Sequence, residues 1–425
     1  MPTLSPLPSR SPAHAGLAWL QTLLEAFPVD GAGSAAALHS CRQAARLSLE
    51  TTSLPGKREE AWRFTDLSLL SQITPRPLDR SQPPPGLPAP AEGSWRVSLE
   101  DWSKKSELSW PAGIEPLSGP ELESHLGRML TATALELNWC VQLNSAIAPR
   151  ILALRIHPGV NTCLELVSDA AQGSGVEPHR LLLLVEAGAS LDLLQVHRSS
   201  GPNLTSMVLE AGLEPRATLR HALLAQGCPS SALLAVSAVS QAAGSHYAHT
   251  SVCSDWGLVR QEPVVLQSEG QASTQLRGLQ WVRERQIADT HSRVRFAGPE
   301  GKLDQVHKVV AEDEGRSVFN GCIQVPRQAQ HTAASQLSRS LLLSDRARID
   351  TKPELEIVAD DVRCTHGATI SRLQDDELFY LRSRGIAADQ ASRLLLRSFC
   401  QEVVTQLPEA AGPWAPLAAL LEEAH

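Results

Sequence analysis

The alternation of apolar and polar positions divides this chain into three parts. Residues 14–27 and 35–49 carry apolar side chains at three-to-four spacing, which predicts two amphipathic helices. Residues 150–370 instead hold short runs rich in Val, Leu and Thr that alternate with period two, with turn residues roughly every 8 to 12 positions. That pattern predicts an all-β body behind a helical amino-terminal part.

Two segments of the β region resemble each other. VEAGASLDLLQ begins at Val185, and LEAGLEPRATLRHALL begins at Leu209. We interpret each as a turn at Glu-Ala-Gly followed by an alternating strand, about one solenoid turn apart. Stacked β coils are the favoured interpretation, and a β-sandwich with two similar hairpins is the alternative.

The carboxyl-terminal part is predicted to be helical. Asp375 and Asp376 favour a helix start, and Gly385 is placed to end that helix in a left-handed conformation. A second helix is expected over 389–407, with an apolar stripe wider than one contact requires. The stripe either docks on another chain or packs against residues 414–421.

These patterns give three predicted domains. A mostly helical amino-terminal domain covers 1–148, a β core covers 149–370, and a helical carboxyl-terminal domain covers 371–425. Within the first domain, residues 54–70 are predicted to form a helix packed by Trp62, and residues 75–91 form a proline-rich excursion too poor in donors for a sheet interior.

Composition and charge exclude several classes of function. The 425 residues carry a net charge of -8 with a pI near 6.0, which gives no basic field for nucleic acid or anionic lipid. No run approaches the roughly 18 apolar residues of a membrane span, and no signal peptide is recognisable, so we expect a cytoplasmic protein. The eight cysteines are scattered without Cys-x-x-Cys, and most are expected to be buried small hydrophobes.

Cys364 and His366 are the main candidates for chemistry. Two positions apart in a strand, they share one face with Cα atoms about 6.5 Å apart, which suits two ligands of a soft metal or cluster. Two ligands are too few, so others must come from elsewhere in the fold or from a second chain. If the strand phase set by Leu355 continues, both residues face outward; a bend at Asp360 would turn both inward.

Other candidates are weaker. Asp360 and Asp361 are adjacent, which in a strand sends them to opposite faces, so a solvated strand end is favoured over paired acid-base work. His246 and His249 precede Cys253, but their three-residue spacing suits a helix while the surroundings are β. The sequence contains no P-loop, no G-x-G-x-x-G after a strand and no G-x-S-x-G elbow, so we expect neither nucleotide chemistry nor serine hydrolysis.

Three blocks resemble the SufB/SufD family of the Suf iron-sulfur cluster assembly machinery, and specifically its SufD scaffold subunits. They are LPGKREEAWRFTDL from Leu54, the block from FNGCIQVP at Phe319 to CTHGATISRL at Leu373, and DDELFYLRSRGIAADQASRLLL from Asp375. The resemblance implies a mainly β fold, a parallel β-helix flanked by helical amino- and carboxyl-terminal domains. It implies a non-catalytic scaffold.

The resemblance also implies partners. Members pair with the homologue SufB through their β-helices and carry the ABC ATPase SufC on their carboxyl-terminal helices, and clusters or iron are held transiently at the SufB-SufD interface. No cofactor is expected in the isolated chain. Binding of reduced flavin to the assembled complex and self-association of the isolated chain through the same β edge stay open.

The family's Cys-x-His-Gly motif maps onto Cys364 and His366, which makes His366 the candidate for iron acquisition or cluster formation in a site shared with the partner. The ATPase-docking surface maps onto residues 375–407, with these candidates: Asp375, Asp376, Leu378, Phe379, Tyr380, Arg382, Arg384 and Gly385. A SufB paralogue is the alternative within the family, and a β-helix carbohydrate enzyme using Asp360 and Asp361 is the alternative outside it.

Overall fold

The computed structural model describes residues 12–29, 36–50, 52–80, 86–104, 108–160, 162–170 and 173–422. Its core is a β-helix of about seven turns over residues 152–371, flanked by helices on both sides in sequence. Two nine-stranded sheets form the walls of this β-helix. Stacked coils are therefore confirmed over a sandwich, as is the predicted fold class.

Within the described residues, eighteen strands are numbered in chain order. In spatial order, the first sheet contains β1 Ser94–Ser98, β4 Cys163–Asp169, β6 Ser190–Arg198, β8 Thr218–Gln226, β10 His246–Ser254, β12 Ser273–Val282, β14 Lys302–Ala311, β16 Ala333–Leu342 and β18 Arg363–Ser371. The second sheet contains β2 Ile114–Pro116, β3 Leu152–Ile156, β5 Gly175–Val185, β7 Asn203–Leu213, β9 Ala232–Gln241, β11 Leu258–Gln267, β13 Ile287–Phe296, β15 Arg316–Val325 and β17 Arg348–Ile357.

In sequence, the α-helices of the described residues lie before β3 or after β18. They are α1 Pro12–Ala26, α2 Ala36–Glu50, α3 Leu99–Lys104, α4 Gly119–His125, α5 Arg128–Ala132, α6 Trp139–Ile147, α7 Asp375–Ser383, α8 Ala388–Val404 and α9 Pro416–Glu422. Short 3-10 turns cover Glu60–Trp62, Ser68–Gln72 and Glu409–Trp414.

Among the described strands, each one except β2 pairs in parallel with the strand one coil away, and β2 pairs antiparallel with β3. Because side chains alternate across a strand, one set of positions in each coil points into the lumen. Leu183 and Leu193 are two such residues, both fully buried in one continuous apolar cluster. Each buried leucine stabilises the fold by roughly 1.5–3 kcal/mol.

Only one of the two expected Glu-Ala-Gly turns forms. Residues 186–188 do connect β5 to β6, but residues 210–212 lie inside β7. Glu210 is fully buried there and accepts a hydrogen bond from Arg180 at 2.7 Å. This tertiary ion pair outweighs the local turn preference of Glu-Ala-Gly, and the chain turns later, at residues 214–217.

The predicted helix over 54–70 was also wrong, since this segment forms only two 3-10 turns. Trp62 is nonetheless buried, as expected, edge-on to Trp139 with ring centroids 6.1 Å apart. Arg260 lies over Trp62 at 4.3 Å and donates to Glu262, to Asp289 and to the carbonyl of Ala61. These contacts hold the segment in an irregular path against the second sheet.

The proline-rich excursion follows the surface of the β-helix where it is described, and its residues 81–85 lie outside the described part. Val176 donates to the carbonyl of Arg76 at 2.8 Å, and Leu78 donates back to Val176. Gly175 has φ +135, and a Cβ there would lie 2.8 Å from that same carbonyl. A glycine is therefore required for this close approach.

The wide apolar stripe of α8 packs within the chain. Leu396, Cys400 and Val403 are buried in a cluster with α9 and with outward residues of the first sheet. Lys308 is almost fully buried beneath α8 and donates to the carbonyl of Phe399 at 2.8 Å and to Glu402 at 2.5 Å. Self-packing therefore accounts for most of the stripe, although Leu394 stays 47% exposed.

Candidate functional site

The candidate site lies at the end of the β-helix, where both sheets stop. β18 is the last strand of the first sheet and β17 is the last strand of the second, so each has a strand neighbour on one side only among the described residues. The hydrogen-bonding groups on the other side of each strand are free to pair with another chain. Ile357, Val358 and Ile370 are exposed apolar residues at this end, at 39%, 60% and 45%.

Register settles which way Cys364 and His366 face. Cys364 aligns with Ala334 and His366 aligns with Gln336, and both partners on β16 are buried lumen residues. Leu355 on β17 also packs on the lumen cluster, so the turn at 358–362 reverses the strand phase. The inward alternative is therefore the one adopted.

Inward orientation does not bury His366. No further coil covers β18 among the described strands, so a residue in the lumen phase meets solvent at this end. His366 is exposed and Cys364 is half-buried against the edge of the lumen cluster. The pair thus lies on an open surface that a second β-helix could reach.

Partial burial affects the ionisation of Cys364. Burial raises the pKa of the Cys364 thiol, against a smaller opposing effect of a backbone hydrogen bond involving Ala334. The thiol is therefore protonated at neutral pH until a cation or metal approaches it. Thiolate and imidazole together make a donor set suited to iron or zinc.

The carboxylates next to the site are engaged elsewhere. Asp361 is exposed and pairs with His331 at 2.9 Å, and the backbone N–H of His331 donates to the Asp361 carbonyl. Asp360 is exposed in the turn between β17 and β18. Among the described residues, no group of three or more His, Cys, Asp and Glu side chains is arranged to hold a metal ion.

Of the two histidines near Cys253, His249 belongs to the lumen wall and His246 does not. His249 and Cys253 are buried on β10, whereas His246 is half-buried at the start of that strand. All eight cysteines are free, but only Cys140, Cys253 and Cys400 are buried. The expectation that most cysteines would be core residues was therefore wrong, because several lie on outward positions or at coil ends.

The predicted docking residues lie on an exposed helix. α7 spans Asp375–Ser383 and has no buried residue, and Gly385 follows it with φ +87. Phe379 is 72% exposed and Tyr380 is 58% exposed. Asp375, Asp376, Arg382 and Arg384 are exposed as well, and Leu378 is half-buried.

Sequence reasoning missed two features of this end of the molecule. It read Ile357 as inward-facing and did not predict exposed apolar residues at Val358 and Ile370, and it did not name the buried Gln336, which lies next to His366 in the sheet. The sequence signal for the apolar residues was present, because they fall where the alternation stops. Gln336 gave no signal, since a polar residue in a strand reads as outward-facing.

In the part of the chain that the structure describes, no helix has the length and apolar character needed to cross a membrane.

Comparisons with known proteins agree with this architecture. Residues 167–399, over half of the chain, match the family model described as SUF system FeS cluster assembly, SufBD core domain. A Synechocystis protein named as an iron-sulfur cluster assembly SufBD family protein is 32% identical, covering 92% of this chain and 91% of its own length.

Two further relatives cover most of the chain. The Arabidopsis thaliana protein ABCI7, chloroplastic, is 30% identical over 92% of this chain and 86% of its own length. The Escherichia coli iron-sulfur cluster assembly protein SufD is 27% identical over 84% of this chain and 86% of its own length. With the matched core and these full-length relatives, this chain belongs to the SufB/SufD family of Suf-system iron-sulfur cluster assembly proteins.

Proposed function

We propose that this chain is a SufD-type scaffold subunit that builds and transfers nascent iron-sulfur clusters together with a SufB-like homologue and a SufC-like ABC ATPase. The observation that carries this proposal is the placement of Cys364 and His366 on the open, unpaired end of the β-helix. Two soft-metal donors on such an edge form half of a coordination sphere that a second subunit would complete.

The open end supports pairing with a homologous β-helix. Unpaired strand edges on β17 and β18 offer main-chain hydrogen bonds, and Ile357, Val358 and Ile370 supply apolar surface beside them. A partner strand added at this edge would lie next to His366. Iron and the cluster are cargo in this scheme, held by residues of both subunits.

The exposed helix α7 supports docking of the ATPase. This helix contacts α8 but has no fully buried residue, and it shows Phe379 and Tyr380 to solvent. Exposed aromatic residues with nearby arginines are typical of interface anchors. Leu394 of α8 is a further exposed apolar residue on the carboxyl-terminal helices.

The chain itself is proposed to be non-catalytic, with conformational work supplied by ATP hydrolysis in the partner. Asp360 and Asp361, the carboxylates of the carbohydrate-enzyme alternative, are both exposed, and Asp361 is paired with His331. The SufB alternative is tested by composition of the complex: a SufD-type chain needs a separate SufB-like subunit, whereas a SufB-type chain needs a SufD-like one.

Co-purification tests the assembly. The tagged chain, expressed with a SufB-like protein and a SufC-like ATPase, should recover both in a stable complex. Recovery of neither would contradict the proposal, and recovery of a SufD protein in place of SufB would favour the paralogue.

His366→Ala tests the role of the site. The substitution should leave the complex assembled, because the side chain is exposed, and should lower its iron and acid-labile sulfide content severalfold after reconstitution. Thr365→Ala, at an exposed neighbouring position of the same strand, is the matched control and should retain wild-type content. Equal cluster content in the two variants would rule out a role for His366.

A further inference from the structure

A chain of side-chain amides runs along the lumen toward the open end. Gln305 donates from its Nε2 to the hydroxyl of Ser292 at 2.7 Å, and Gln336 donates from its Nε2 to the Oε1 of Gln305 at 3.0 Å. Gln305 and Gln336 are in register on neighbouring strands, and both Nε2 groups donate to the preceding coil, away from the open end. The chain is therefore polarised.

The side-chain carbonyl of Gln336, the last in this row of amides, lacks a hydrogen-bond donor among the described residues. Gln336 is only 1% exposed, and its Oε1 has no hydrogen-bond partner among the described residues. Its Nε2 packs closely on Gly321 across the lumen, where the Cβ of any other residue would lie 2.2 Å from it. A buried acceptor without a donor costs about 1–3 kcal/mol, so native structures almost always supply one.

The next residue in register is His366. It pairs with Gln336 across β16 and β18, where neighbouring strands are about 4.8 Å apart. Both side chains are in the lumen phase, so the imidazole of His366, which can donate from a ring N–H, is the next side chain in this row toward the open end.

We infer that Gln336 is a positioning residue that accepts a hydrogen bond from one ring nitrogen of His366 and so fixes its tautomer and orientation. The other ring nitrogen then keeps its lone pair directed away from the lumen, toward the seam with the partner subunit. Histidines that bind metals generally donate their second N–H to such an acceptor, and loss of the acceptor typically lowers metal affinity roughly 10–100-fold. This inference rests on the proposed role of His366.

The direct test is the tautomer of His366 in the metal-free chain. In ¹⁵N-histidine-labelled protein at pH 8, the His366 signal is assigned by its loss in His366→Gln, and its two ring-nitrogen shifts report which nitrogen carries the proton. Wild type should show a single tautomer. Gln336→Met, which keeps length and volume but removes the carbonyl, should give a mixture, and Gln336→Glu should restore the single tautomer.

Gln280→Met is the matched control. Gln280 is equally buried in the same sheet and is bonded to Thr290 and Ser317, but its row does not reach His366. It should leave the His366 tautomer unchanged while costing similar stability. Unchanged tautomer populations in Gln336→Met, or a mixture in Gln280→Met as well, would overturn the inference.

A second readout separates this inference from the proposed function. In the assembled complex, Gln336→Met should lower retention of added Fe²⁺ about 10-fold, and Gln336→Glu should recover it. If Gln336→Met changes the tautomer while His366→Ala leaves cluster content intact, the hydrogen bond stands and the proposed role of His366 fails. If His366→Ala lowers cluster content but Gln336→Met leaves both tautomer and iron retention unchanged, only the positioning role fails.

Discussion

The lumen of the β-helix holds buried histidines, and two pairs of them lie with their rings close together. His179, His197, His221, His249 and His307 are all buried, and burial lowers the pKa of each, to about 3 for His179, His197 and His307 and to about 4 for His249. His221 and His249 lie with ring centroids 4.5 Å apart, which also disfavours charging both. These imidazoles are neutral in the folded chain.

The lowered pKa values of these buried histidines make the folding stability depend on pH. Each histidine has a pKa near 6.5 in the unfolded chain and a much lower pKa in the folded chain. Near and below pH 6.5 the unfolded state therefore binds more protons than the folded state. The free energy of unfolding falls as the pH drops through this range. Between pH 7.5 and 5.5 we expect a loss of roughly 1.4 kcal/mol per histidine, or about 7 kcal/mol for the five. Urea unfolding at the two pH values measures it.

The control variants isolate one histidine. His197 has no hydrogen-bond partner on either ring nitrogen among the described residues, so His197→Gln should remove about a fifth of the pH dependence. Ser340→Ala, in the same lumen row but without a titrating group, should retain it. An identical pH dependence in His197→Gln would contradict the assignment.

At the scale of single elements, the segment 54–70 depends on a buried charge network rather than on helical hydrogen bonds. Thr65 donates to Asp289, and Arg260 bridges Asp289 and Glu262, all of them buried. Burial by itself would raise the pKa of Asp289, but Arg260 and His291 hold it below its usual value.

Arg260→Met should therefore destabilise the chain by about 3–5 kcal/mol, because two carboxylates remain buried without their cation. The exposed Lys57 and Arg58 should then become rapid sites of trypsin cleavage. Arg285→Met is the control: Arg285 is 89% exposed and paired with Glu314, so its loss should cost under about 1 kcal/mol. Equal stability of the two variants would show that the network does not hold the segment.

The two carboxyl-terminal helices differ in what they contact. α8 is fixed to the first sheet by Leu396, Cys400 and Lys308, whereas α7 has no fully buried residue. Truncation after Arg372 would remove both helices and uncover the sheet, so point substitutions on α7 are the sharper test of ATPase docking.

Phe379→Ala with Tyr380→Ala should abolish capture of the SufC-like ATPase while leaving the free energy of unfolding within about 0.5 kcal/mol of wild type. Leu396→Ala, on the buried face of the neighbouring helix, should instead cost about 2–5 kcal/mol. Pull-down and urea unfolding of the same preparations separate the two effects. Full ATPase binding by the double variant would place the docking surface elsewhere.

At the scale of the whole molecule, the β-helix ends without a cap on the side of β17 and β18. Val358→Lys with Ile370→Lys should weaken binding of the SufB-like partner at least 10-fold, because two charges would be buried in an apolar contact. Leu137→Lys, at an apolar residue that is 82% exposed, is the control and should leave the dissociation constant unchanged. Wild-type affinity in the double variant would exclude this end as the interface.

Much of this architecture was predictable from sequence. Period-two alternation over 150–370 specified strands, since a strand buried on its lumen face must place apolar residues at every second position. The helices α7 and α8 followed from acidic start signals, a glycine stop and three-to-four spacing. These are local effects of backbone geometry, which depend only on near neighbours in sequence.

Tertiary structure alone decided the rest. Whether Cys364 and His366 face the lumen depended on the turn at 358–362, and whether they are covered depended on the absence of a further coil in the described residues. Glu210 inside a strand, the irregular path of residues 54–70 and the unpaired carbonyl of Gln336 all arise from contacts between residues far apart in sequence. Such contacts are set by the stacking of coils, and no short-range pattern records them.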